Sequence, residues 1–142
     1  MITTALNEYL ERNSHTVDES LHDRLLKDIT VKLIHIINNT PEKFYHKVDL
    51  MESDRRVGIV DLVALTGEEM YIIQAIAVNQ NRAQARGNDL SRLRQKLWQG
   101  YEYLKRFDVA PKMVGIYRRF GTSQFQSFEI QRPIEDLMAK LK

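Results

Sequence analysis

Val57-Gly-Ile-Val-Asp61-Leu-Val-Ala-Leu65, then Thr66-Gly-Glu-Glu69, then Met70-Tyr-Ile-Ile-Gln74-Ala-Ile76-Ala-Val78, is the stretch that decides the fold. β-Branched residues fill both apolar runs, and such side chains pack well on a pleated surface. The Thr66–Glu69 segment between them reads as a tight hairpin turn. The second run is nearly all apolar, as expected of a strand covered on both faces. One acid, Asp61, and one amide, Gln74, interrupt the two runs. A buried polar group needs a partner, because leaving it unpaired costs on the order of 1–3 kcal/mol. Asp61 can serve as that partner for Gln74.

Upstream, Phe44-Tyr-His-Lys-Val-Asp-Leu-Met51 gives another strand, closed by the charged turn Glu52–Arg56. Before it, Val17, Leu21, Leu25, Ile29, Leu33 and Ile36 recur at spacings of three and four, which predicts a helix to about Asn38. Thr16-Val-Asp-Glu19 has the form of a capping box at its start. The first dozen residues suit a shorter helix carrying Ile2, Leu6, Tyr9 and Leu10. Downstream, Leu90, Leu93, Leu97, Tyr101 and Leu104 mark a helix from Asp89, its expected cap, to Phe107. Two strands are expected at Met113–Tyr117 and Phe125–Ile130, and Pro133 opens a closing helix, Ile134–Leu141. The expectation is one α/β domain over residues 1–142, with a central mixed sheet of about five strands flanked by helices.

Composition narrows the function classes. The 142 residues include no cysteine, which excludes thiolate zinc sites, thiol nucleophiles and a disulfide scaffold. A chain of this length buries roughly two-thirds of its unfolded surface and needs no such staple. No apolar run approaches the ~18 residues of a membrane span, and the N-terminus lacks the pattern of a signal peptide, so a cytoplasmic location without membrane contact is expected. Net charge is only +2, but it is unevenly spread. From Arg82 to Arg106 there are seven basic residues and two acidic ones, Asp89 and Glu102. The first 28 residues lean acidic. A basic segment in a near-neutral domain can face a polyanion.

Most catalytic templates fail. The six glycines form no phosphate loop, the four histidines have no metal-ligand spacing, and there is no GxSxG elbow. Asp61 and Gln74 remain. In their order of elements, Gly58-Ile-Val-Asp61-Leu-Val-Ala-Leu65 and Tyr71-Ile-Ile-Gln74-Ala-Ile76-Ala resemble the two active-site segments of the PD-(D/E)XK, or restriction-endonuclease-like, nuclease superfamily. Gln99-Gly-Tyr-Glu-Tyr103 is similar to the Q-x-x-x-Y helix motif of the RecB-like branch. The resemblance runs over residues 17–120 and implies a helix, a three-stranded meander and a crossover helix.

In that family two carboxylates on adjacent strands hold magnesium or manganese through oxygen ligands. A lysine two residues past the second acid shares its face, because side chains alternate along a strand. Here Gln74 stands at the second acid and Ile76 at the lysine. The resemblance therefore implies the fold with a degenerate site, in which Asp61 is a weak metal ligand and Gln74 a vestige. The expected function is a module binding DNA or RNA, or a protein partner. An active magnesium- or manganese-dependent nuclease is the alternative; it would draw a further carboxylate from Glu19, Asp23 or Asp28 and a cation from Arg82, Arg86 or Lys96. A homo-oligomeric scaffold or homodimer with no nucleic-acid role is a third reading. Arg82, Arg86, Arg92, Lys96, Gln99 and Tyr103 are the expected nucleic-acid contacts, with Tyr103 stacking on a base. Trp98 flanks the apolar stripe and is expected in the core or an interface.

Overall fold

The computed structural model describes residues 3–67, 69–78, 87–119 and 126–130. Arg82, Arg86 and the expected helix Ile134–Leu141 lie outside the described residues. The elements run α1 (Thr4–Asn13), α2 (Leu21–Ile37), β1 (Lys43–Glu52), β2 (Arg55–Leu65), β3 (Met70–Val78), α3 (Gly87–Leu104), β4 (Lys112–Arg119) and β5 (Gln126–Ile130). The class is α/β, as expected. Strands lie in the order β1-β2-β3-β4-β5. The first three form an antiparallel meander, α3 crosses back so that β4 joins β3 in parallel, and β5 returns antiparallel.

Helices cover both faces of the sheet. On one, Leu6 and Leu10 of α1 and Leu97, Tyr101 and Leu104 of α3 pack on Val48, Leu50, Val60 and Ile72. On the other, Leu25, Leu26, Ile29 and Leu33 of α2 pack on Leu62, Ile73, Val114 and Ile116. Consecutive residues of β3, Ile72 and Ile73, thus enter opposite cores, which is why this strand is nearly all apolar, with Gln74 the exception. Gly100 lets α3 lie close on β2, since a Cβ there would come 2.9 Å from Val60 Cγ2.

Three local expectations are corrected. α2 is capped by Ser20, whose hydroxyl accepts from the Asp23 N–H, and not by a box at Thr16. Leu21 consequently turns outward at 65% exposure, and Val17 lies before the helix. Asn38 then ends α2 in a left-handed conformation, φ 51°. α3 begins at Gly87, so Asp89 sits inside its first turn and not at its cap. Its last turn tightens into a 3-10 segment, Lys105–Phe107, ended by a left-handed Asp108.

Two strand irregularities position the site. Lys47, in the middle of β1, has φ 49°, an uncommon backbone for a residue with a Cβ. It faces Asp61, and the β1–β2 pairing is interrupted there, between His46–Leu62 and Val48–Val60. The β2–β3 ladder runs from Leu65–Met70 to Leu62–Ile73 and stops, while β3 continues along β4 to Val78. Beyond Leu62 and Ile73 the two strands part like a fork.

Candidate functional site

The first residues past the fork are Asp61 and Gln74, 8% and 1% exposed. Where strands part, the N–H and C=O groups facing the gap lose their ladder partners and must find others. Gln74 supplies them. Its Oε1 accepts from the Asp61 N–H at 3.3 Å, and its Nε2 donates to the Ile59 carbonyl at 2.8 Å. The side-chain amide thus takes both bonds that a neighbouring strand residue would make. Asp61 answers in kind, its Oδ2 accepting from the Ala75 N–H at 2.9 Å.

The other carboxylate oxygen of Asp61 meets α2. His22 Nε2 lies 3.1 Å from Asp61 Oδ1, and because a carboxylate only accepts, that nitrogen carries the proton. The hydrogen bond to Asp61 raises the His22 pKa above the ordinary imidazole value; partial burial and the Lys96 ammonium work against it, and the charge of Asp23 adds to it. The next residue, Asp23, turns to β1. Its Oδ2 accepts from Lys47 Nζ at 2.8 Å and from the Asp18 N–H at 2.7 Å. Burial opposes ionisation of Asp23, but the bonds from Lys47 and Asp18 outweigh it and hold its carboxyl below the usual range. Consecutive residues of α2 are thereby fastened to the facing pair Asp61 and Lys47, at the point where β1 is kinked.

This donor set does not fit magnesium or manganese. Both Asp61 oxygens and the Gln74 oxygen already receive N–H donors, and the His22 on Asp61 carries a pKa raised toward the cationic form. A hard divalent ion needs several free oxygens, preferably anionic. The further carboxylates do not supply them. Glu19 is exposed and paired with Lys27 at 3.1 Å and Arg24 at 3.7 Å, so it is not brought to Asp61. Asp28 holds Arg118 at 2.6 Å, and Asp23 is locked on Lys47. Among the described residues no group of three His, Asp or Glu side chains is placed to hold a metal ion.

Comparison with protein-family models, curated proteins and solved structures finds no match.

On α3 the expected contact residues divide. Gln99 and Tyr103 are four apart and share a helix face, and both are tied to the β1–β2 hairpin. Gln99 Nε2 donates to the Val57 carbonyl at 2.6 Å. Gly58 makes room for it, since a Cβ there would come 2.7 Å from Gln99 Oε1. The buried Tyr103 hydroxyl donates to the Met51 carbonyl and accepts from the Met51 N–H, while Arg106 lies 3.7 Å from its ring centroid and reaches Glu52 at 2.6 Å. With its hydroxyl buried and its ring covered, Tyr103 is not a stacking platform for a base; its place in the motif serves packing.

The rest of that helix face is open. Arg92, Gln95, Lys96, Trp98, Gln99 and Glu102 line a shallow cleft of about 540 Å³. Arg92, Gln95 and Lys96 are exposed, and neither cation forms an ion pair among the described residues. Trp98 is half-buried and belongs to neither core cluster of the described residues, so of the expected core or interface places the core is not the one it takes there.

Sequence reasoning missed the roles of His22 and Lys47. A signal for His22 existed: it precedes Leu25, Ile29, Leu33 and Ile36 by the same spacings of three and four, so it occupies the stripe position assigned to Leu21. Nothing in the sequence marks the left-handed backbone of Lys47.

Proposed function

We propose that this chain is a restriction-endonuclease-like domain that binds nucleic acid through the α3 face and does not cleave it. The element order supports the fold: a helix, a three-stranded meander, a crossover helix and a parallel fourth strand, with Asp61 of β2 bonded to Gln74 of β3, where the resemblance expects a second acid. The observation that carries the loss of cleavage is the pairing of Asp61 with Gln74. Groups that would bind a metal instead bind the protein's own backbone.

Binding rests on charge. Arg92 and Lys96 are exposed cations one turn apart beside two amides, a set suited to phosphate oxygens, which position a nucleic acid without reading its sequence. Neutralising two such contacts weakens binding and flattens its salt dependence, because each releases counterions. The test is affinity for labelled oligonucleotides across a salt series, comparing the natural chain with Arg92→Gln/Lys96→Gln. The expected result is weaker binding, with a slope against log salt shallower by about 1.5. Equal affinity and slope in the two proteins would remove the α3 face from the interaction.

A further inference from the structure

We propose that the α3 cleft takes single-stranded nucleic acid, one unpaired base stacking on Trp98 while adjoining phosphates meet Arg92 and Lys96. This rests on the nucleic-acid reading of the same face and names the form of nucleic acid it accepts. Trp98 carries the inference. A large ring that belongs to neither core cluster of the described residues, partly exposed in a cleft whose other described lining residues are charged or amide groups, offers a π-surface beside cations. Aromatic rings in basic grooves are how proteins hold single strands without sequence preference, because every base has a stacking face. A duplex keeps its bases stacked inside and presents no such face to a cleft wall.

The spacing agrees. Arg92 and Lys96 are four residues apart, about 6 Å along the helix axis, a separation that successive phosphates of an extended strand can span. Gln95, exposed between them, has donor and acceptor atoms for a base edge. Glu102, the one acid among the described residues lining the cleft, is offset by Lys105 at 3.0 Å. A volume of about 540 Å³ is ample for a nucleotide.

Trp98 is the only tryptophan in the chain, so tryptophan emission, excited at wavelengths its six tyrosines do not absorb, reports on this cleft alone. The full chain is titrated with a short oligothymidylate, with a duplex of equal length and with inorganic phosphate; binding is followed separately by anisotropy of labelled strands. We expect saturable quenching by the single strand, none by phosphate, and duplex affinity lower by about tenfold or more. Trp98→Ala should cut single-strand affinity by about tenfold, with Trp98→Phe retaining most of it. Circular dichroism and melting establish that the variants fold; if Trp98→Ala does not, quenching in the natural chain and the Phe variant decide. Single-strand binding without quenching, or a duplex bound as tightly with Trp98→Ala unaffected, would overturn this inference and leave the nucleic-acid reading intact. No binding of either form at low salt would overturn both.

Discussion

Gln74 stands in for a strand residue beside Asp61: its side-chain amide bonds the Asp61 N–H and the Ile59 carbonyl where the β2–β3 ladder has ended. The amide has both a donor and an acceptor, and the site uses both. A carboxylate in the same place would have only acceptors, one of them facing a carbonyl. This explains in local terms why Gln is suited to position 74.

Gln74→Leu leaves the Asp61 N–H and the Ile59 carbonyl without partners. Each costs ~1–3 kcal/mol, so urea denaturation should show a loss of about 2–6 kcal/mol. Gln74→Glu should also be destabilised at neutral pH and recover on acidification, when the protonated acid can donate to Ile59. The sign follows from a carboxyl pKa raised in the folded state: its stability is present at low pH and lost as pH rises through that value. A Gln74→Glu protein as stable as the natural one at neutral pH would contradict the geometry.

His22 predicts a second pH dependence. Its pKa is raised by Asp61, against the effect of Lys96 from α3 and with that of Asp23 on its own helix. A raised imidazole pKa stabilises the fold fully below the unfolded value, near 6.5, and the contribution disappears as pH rises through the folded value. The stability difference between the natural chain and His22→Gln should therefore be larger at pH 5.5 than at pH 8.5, by chemical denaturation at each pH. His46, whose pKa is lowered by burial, is common to both proteins and cancels in the difference.

Removing one half of the Asp23–Lys47 pair should be costly. Lys47 Nζ and the Asp23 carboxylate are 2.8 Å apart, with side chains 22% and 4% exposed. Asp23→Ala strands a largely buried ammonium, and loss of a partner from such a pair costs about 3–5 kcal/mol. The double variant Asp23→Leu/Lys47→Met should regain much of that loss. Equal stability of the single and double variants would show that the pair is not coupled.

Tyr103→Phe separates packing from binding in the Q-x-x-x-Y segment. The hydroxyl holds the Met51 backbone, so its loss should cost about 1 kcal/mol in stability. Oligonucleotide affinity should not change. A fall in affinity with no change in melting would instead restore Tyr103 to the interface.

Much of this was legible in the sequence, and the failures have physical causes. The meander was evident because apolar runs with β-branched residues and a turn between them leave few alternatives. Asp61 and Gln74 stood out as polar residues in core strands, and a pairing between them could be foreseen. What could not be foreseen is the fork itself, since where a ladder ends depends on backbone that no periodicity encodes; the kink at Lys47 is similar. His22 was obscured because a leucine beside it appeared to continue the stripe. A spacing of four sets Gln99 and Tyr103 on one helix face, but spacing alone does not say whether that face meets a ligand or the β1–β2 hairpin.

The most direct test of the central claim is incubation of labelled single-stranded and duplex DNA and RNA with the natural chain and Asp61→Ala, in manganese and in chelator. We predict that binding by the natural chain is the same in both conditions and that no strand is cut. Manganese-dependent cleavage that vanishes in Asp61→Ala would contradict it, showing that Asp61 gives up His22 and the Ala75 N–H to hold a metal.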